Sequence, residues 1–135
     1  MIFQAINLNK LCKEKVFEIS AVTIHTGPIN VILCCVYRST SENPNNFLQQ
    51  LENTLKLIHQ PTVSLVICGD LNINYFTESS VKQNLESIMK AFNLTQVVTF
   101  PTRICNNKKG TLMDSVFLDN AKFQNLSVHP FDSGL

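Results

Sequence analysis

The densest group of chemically capable side chains is Gly69-Asp70-Leu71-Asn72, which follows the apolar run Ser64 to Cys68. Gly69 lets the chain turn without a Cβ clash. Asp70 and Asn72 lie two apart, so in an extended backbone both side chains leave on the same side. A carboxylate beside an amide at a strand mouth can hold a water and a phosphate oxygen together. The carboxylate accepts a proton, and the amide donates to developing charge. The same two residues also make an Asx turn, which ends strands for local reasons alone. Tyr37-Arg38 closes another apolar run and sets a phenol beside a guanidinium, a pair suited to phosphate. It reads equally as a strand-end Tyr with a solvated Arg. In Gly110-Thr111-Leu112-Met113-Asp114-Ser115-Val116-Phe117, Asp114 opens an apolar run, where a cap or turn would also place an Asp.

These residues need elements to hold them. Phe17 to Ile24 alternates loosely and is rich in β-branched residues, which predicts a strand. His25 to Pro28 reads as a turn, and the nearly continuous apolar run Ile29 to Tyr37 as a strand buried on both faces and antiparallel to the first. Asn43-Pro44 suits a helix start, with Asn as cap and Pro at the first helical position. Phe47, Leu48, Leu51, Leu55 and Ile58 recur at helical spacing up to Pro61. Ser64 to Cys68 is a short buried strand. Ser79 or Ser80 caps a second helix carrying Val81, Leu85, Ile88, Met89 and Phe92, which Asn93 ends. Leu94 to Phe100 is an extended piece, Arg103 to Gly110 a polar loop, and Met113 to Leu118 and Phe123 to Val128 are two further strands. The order β-β-α-β-α-β-β predicts helices layered on a mixed sheet.

Composition narrows the classes. The chain has 135 residues, 44% apolar and 16% charged, and reads as one domain. Charge this sparse excludes a disordered polyelectrolyte. A net charge of +1 excludes a protein that holds nucleic acid by bulk positive field alone, so any such contact must be local or draw on residues outside this chain. No run approaches the roughly 18 apolar residues of a membrane helix. Met1 to Asn9 lacks the basic and apolar segments of a signal peptide. The five cysteines, Cys12, Cys34, Cys35, Cys68 and Cys105, form no C-x-x-C pair and read as buried free thiols in an intracellular, reducing setting. Cys34 and Cys35 should point to opposite faces of their strand.

Taken in order, the series is specific. An apolar strand leads to Tyr37-Arg38 and another to Gly69-Asp70-Leu71-Asn72. A helix, Phe100-Pro101-Thr102-Arg103 and Thr111-Leu112-Met113-Asp114-Ser115-Val116-Phe117 follow. From about Phe17 to Leu135 this resembles the endonuclease/exonuclease/phosphatase superfamily. More closely, it is similar to the apurinic-type endonuclease domain of non-LTR retrotransposons of the jockey and LINE-like kind. The resemblance implies an α/β fold, a four-layer α/β sandwich (DNase I-like), and a metal-dependent phosphodiesterase acting on DNA. It implies that Asp70 orients or deprotonates the attacking water and that Asn72 binds the scissile phosphate. It further implies that Tyr37 contacts the phosphate near the leaving group and that Asp114 orients a catalytic His. Arg38, Thr102 and Thr111 fall at substrate-binding positions near that site. The implied cofactor is Mg²⁺, the implied partners are DNA and a reverse transcriptase domain in the parent polypeptide, and the implied location is nuclear.

Departures from the family pattern set further expectations. The family's metal-binding Glu lies on early strands with no counterpart here, because Glu18 sits on a later strand and Glu14 lacks the context, so no metal ligand is assigned. The Ser-Asp-His triplet that supplies the catalytic His should follow the segment Val128 to Leu135. His25, His59 and His129 do not replace it. Residues 1–135 are therefore expected to be a partial domain, truncated at both ends and inactive alone. Exposed sheet surface on such a piece favours self-association. Two alternatives stay open: a non-catalytic remnant or domesticated interaction module, and another phosphatase or DNase-like member of the superfamily. Gln96 to Arg103 resembles the retroelement branch.

Overall fold

The computed structural model describes residues 1–104, 106, 109–124 and 126–131. Cys105, Asn107, Lys108, Asn125 and Asp132-Ser133-Gly134-Leu135 lie outside the described residues. The elements run β1 (Ile2–Ile6), β2 (Glu18–Thr26), β3 (Ile29–Tyr37), α1 (Pro44–Ile58), β4 (Ser64–Asp70), α2 (Ser80–Ala91), β5 (Thr95–Gln96) and β6 (Asp114–Leu118). They form one mixed six-stranded sheet in the order β1-β2-β3-β4-β6-β5. β3 and β4 are parallel, joined by α1 as a crossover. The other pairs are antiparallel.

Local chemistry explains the helix bounds. The Asn43 side chain accepts from the Asn45 N–H at 2.9 Å, and Pro44 occupies the first turn, where its missing N–H costs nothing. Ser79 caps α2 by accepting from the Lys82 N–H at 3.1 Å. Both helices cover one face of the sheet. Phe47, Leu51 and Leu55 of α1 and Leu85 and Met89 of α2 share a core with Cys34, Val36, Ile67 and Phe117. Phe47 is fully buried and tilts against Phe17 with ring centroids 5.7 Å apart.

Among the described residues no helix covers the opposite face, where Leu118 at the end of β6 is nevertheless buried. Val22, Ile24, Val31, Leu33, Val66 and Val116 there are half-buried, and Cys35 is exposed. This corrects the two-sided burial expected of Ile29 to Tyr37: Ile32, Cys34 and Val36 are buried, whereas the alternate set is open. Cys34 and Cys35 do point to opposite faces. The described residues thus supply two layers, a sheet and its helices, of the four implied by the resemblance. None of the described helices is long and apolar enough to cross a membrane.

Three further differences have physical causes. β1 escapes sequence reading because it is an edge strand whose residues are exposed up to Ile6, so burial imposes no alternation on it. Of Leu94 to Phe100, only Thr95–Gln96 pairs as a strand. The described residues of Phe123 to Val128 carry no strand; Phe123 turns back instead, its N–H donating to the Asp119 carbonyl at 3.0 Å.

Candidate functional site

Strand register assembles the predicted residues at one end of the sheet. Tyr37 pairs with Asp70 across β3 and β4, and Asp70 with Asp114 across β4 and β6. Directly opposed residues share a face, so these three side chains stand in a row. Glu18 continues the row as the partner of Tyr37 on β2. It accepts from the Lys15 N–H at 3.2 Å, and its spacing from the others carries no sequence signal.

Gly69 allows the row to close. Its φ is +145°, and a Cβ there would stand 1.8 Å from the Val36 carbonyl oxygen. Only glycine lets β4 approach β3 this closely just before Asp70.

After Asp70 the chain departs from the extended geometry expected for Asp70 and Asn72. Leu71 is buried, and Asn72 takes a left-handed φ of 51°. Asn is among the few non-glycine residues that tolerate this region. The Asp70 Oδ1 accepts from the Asn72 N–H at 3.0 Å, so the Asx contact forms. The Asn72 side-chain amide turns back and donates to the Arg38 carbonyl.

Arg38 is neither solvated nor free. It is buried, and its guanidinium donates to the carbonyls of Leu71 and Asn72, each at 2.7 Å, and to those of Ser39 and Glu42 at 3.4 Å. The guanidinium also lies 6.0 Å from the centroid of the Phe47 ring. Burial lowers its pKa, and the nearby Asp70 charge opposes that shift. As placed, Arg38 fixes the loop after β4, while the Arg38 N–H donates to the Asp70 carbonyl at 3.0 Å.

A cation open to solvent at this site is Arg103, whose guanidinium donates to Asp70 Oδ2. Its neighbour Thr102 positions the row's last member. The Thr102 Oγ1 accepts from the N–H groups of Met113 and Asp114 at 3.1 and 3.2 Å. Thr111 acts through its backbone, paired with Arg103 in a bridge. Asn74 was likewise missed by sequence reading. It carries the chain past the site, its Oδ1 accepting from the Leu112 and Phe76 N–H groups at 3.1 and 3.2 Å. The histidines lie elsewhere: His25 bonds Asn30, His59 meets Phe92 edge-on and His129 bonds Ser127.

The fit to a divalent ion is incomplete. An oxygen-ligand site needs several converging carboxylate or carbonyl oxygens. Among the described residues no group of three or more His, Cys, Asp or Glu side chains could hold a metal, and both Asp70 oxygens already accept from protein donors.

Comparison with solved structures gives the fold an independent frame. The endonuclease domain of TRAS1, a telomere-specific non-LTR retrotransposon, superposes with a TM-score of 0.68 at 14% identity, over 88% of this chain and 55% of that one. The magnesium-bound beta toxin of Staphylococcus aureus gives 0.56 at 16% identity, over 86% and 44%. Zebrafish (D. rerio) TDP2 in complex with a single-strand DNA product gives 0.57 at 10% identity, over 87% and 52%. The chain therefore spans about half the length of these structures, whose DNase I-like α/β fold it shares. No curated protein matches the sequence. The sequence model described as endonuclease-reverse transcriptase matches residues 31–134, from within β3 past the row at the strand ends, and the chain belongs to that family.

Proposed function

We propose that this chain supplies the water-activating and phosphate-binding strand ends of a DNA phosphodiesterase from a non-LTR retroelement. The parent enzyme nicks target DNA ahead of reverse transcription in the nucleus. The observation that carries this reading is the row Tyr37, Asp70 and Asp114, with Asn72 and Arg103 against its central carboxylate. In the complete enzyme Mg²⁺ supplies charge neutralisation at the phosphate. The chain's own residues do the remaining work. Asp70 holds and polarises a water, and the Tyr37 phenol, about half exposed, contacts the phosphate. Asn72 offers its amide to a phosphate oxygen, and Thr102 holds Asp114 in line.

The 135-residue polypeptide by itself is inactive in this reading, because neither a metal-holding carboxylate set nor a histidine beside Asp114 is among the described residues. The internal pairing of Asp70, Asn72 and Arg38 also favours a second reading, a module that binds DNA without cutting it. Purified chain with supercoiled plasmid and Mg²⁺ tests both. The expected result is no nicking above that of Asp70→Ala. DNA binding without nicking would support the module, and Mg²⁺-dependent nicking abolished by Asp70→Ala would overturn the inactivity.

A further inference from the structure

The open sheet face carries a pair of thiols that the row at the strand ends does not use. Cys35 of β3 stands directly opposite Cys68 of β4, one same-face position back from Tyr37 and Asp70. The two sulfurs are 3.4 Å apart. Neighbouring strands run about 4.7–4.9 Å apart, within the roughly 4.4–6.8 Å between Cα atoms that a disulfide spans. Gly69, the residue after Cys68, is where β4 makes its close approach to the Val36 backbone.

The surroundings separate this pair from the other cysteines. Cys35 is exposed and Cys68 half-buried, where the sequence predicts burial for both. The Cys68 thiol donates to the Cys34 carbonyl at 3.4 Å, which fixes its sulfur beside Cys35. Burial pushes the Cys68 thiol up to about 11 from 9.0, and the contact with Cys35 adds to the shift, so Cys68 stays protonated at neutral pH. Cys34 is fully buried on the helix side. Cys12 is exposed and lines the same surface depression as Cys35, but its thiol donates to the Ile19 carbonyl at 3.3 Å. Among the described residues no group of three or more His, Cys, Asp or Glu side chains could hold a metal, so the pair stands as a dithiol outside any such cluster.

We propose that Cys35 and Cys68 form an oxidation site, which hydrogen peroxide converts to a disulfide between β3 and β4 beside Tyr37 and Asp70. The Cys35 thiolate, on the solvent side, attacks one peroxide oxygen; the O–O bond breaks, hydroxide leaves and Cys35 becomes a sulfenic acid. The Cys68 sulfur then attacks the Cys35 sulfur, the S–O bond breaks, and the hydroxyl leaves as water with the Cys68 proton. In sum, two thiols give up two electrons and two protons, and the peroxide becomes two waters. An exposed disulfide is of the labile kind, so a small dithiol reduces it back and is itself oxidised to a disulfide. While it lasts, the bond ties together the two strands whose ends carry Tyr37 and Asp70.

The test treats the folded 135-residue chain with hydrogen peroxide, alkylates the remaining thiols and maps the linked peptides without reduction by mass spectrometry. Fragmentation distinguishes Cys35 from its neighbour Cys34. The Cys35–Cys68 link should exceed every other link by at least about tenfold, because the fold replaces chance encounter by proximity. Dithiothreitol should restore both thiols, and the same treatment in urea, where the strand register is lost, should erase the preference. Cys35→Ser and Cys68→Ser should each abolish the link, whereas Cys12→Ser should retain it. A dominant link from Cys12 to Cys35 or between two chains would overturn the proposal. So would accumulation of Cys35 as sulfinic or sulfonic acid with Cys68 still a thiol, or a preference that survives in urea. The map of the unsubstituted chain decides the matter even where a variant fails to fold.

Discussion

Substituting Gly69 with Ala tests whether backbone proximity builds the row at the strand ends. The new Cβ would meet the Val36 carbonyl oxygen at 1.8 Å, its carbonyl carbon at 2.8 Å and its nitrogen at 2.9 Å. All three are backbone atoms inside a paired strand, so no side chain can swing away. Relief requires β3 and β4 to part by more than about 1 Å, which breaks on the order of two ladder bonds at about 1 kcal/mol each. Holding Ala at φ +145° adds about 1–3 kcal/mol of backbone strain. The sum is about 3–5 kcal/mol, a large part of the 5–15 kcal/mol typical of a domain. Gly27 is the internal control: its φ is +64°, but a Cβ there meets nothing within 4 Å. Gly27→Ala should cost only about 1–2 kcal/mol, the ordinary left-handed penalty. Urea unfolding followed by circular dichroism separates the two. With a slope of about 1.5 kcal/mol/M, the midpoint should fall by about 2–3 M for Gly69→Ala and about 1 M for Gly27→Ala. Midpoints within about 0.3 M of each other, at unchanged slope, would refute the reasoning.

Arg38→Ala should destabilise by about 3 kcal/mol, because the Leu71 and Asn72 carbonyls lose charge-assisted partners; Arg38→Lys should recover only part of this, since an ammonium cannot span both. Thermal melts of the two variants check this, and full recovery by Lys would count against a fork. Burial pushes the Cys34 thiol up to about 12 from 9.0. The unfolded chain therefore loses this proton first, and the stability present below pH 9 is lost as pH rises from 9 toward 12. Melting temperature should fall between pH 8 and pH 10, less so in Cys34→Ala, and parallel slopes would exclude Cys34 as the cause. The open sheet face should make the isolated chain self-associate; light scattering should find oligomers that Val66→Lys disperses, and a monodisperse unsubstituted monomer would remove this expectation.

Legibility from sequence followed the physics of each element. β3 and both helix starts were readable because each carries a plain local signal: a nearly continuous apolar run, Asn43 before Pro44, and Ser79 before the periodic stretch. The positions of Tyr37, Asp70 and Asp114 at strand ends were readable for the same reason. Their alignment was not, because register depends on pairing between strands remote in sequence. Arg103 was hidden inside a polar loop, where nothing local indicates that its side chain reaches Asp70. Arg38 misled because an Arg after a strand is ordinarily solvated, and only the fold reveals the carbonyls that surround it. The apolar character of β3 on both sides was legible, whereas cover on one side alone was not.

The contact between Arg103 and Asp70 closes across 33 residues of chain, and the row is completed only when β6 joins β4. Such long-range closures are slow, since loop entropy must be lost before the contacts form. During synthesis, β1 to β3 and α1 can emerge and begin to pair while Asp70 still lacks both its cation and its neighbouring carboxylate. A nascent chain halted before Arg103 would therefore carry most of the helix-side core and only the Glu18, Tyr37 and Asp70 part of the row. Completion of the row at the strand ends is thus a late event in the life of each molecule, gated by translation through residue 118.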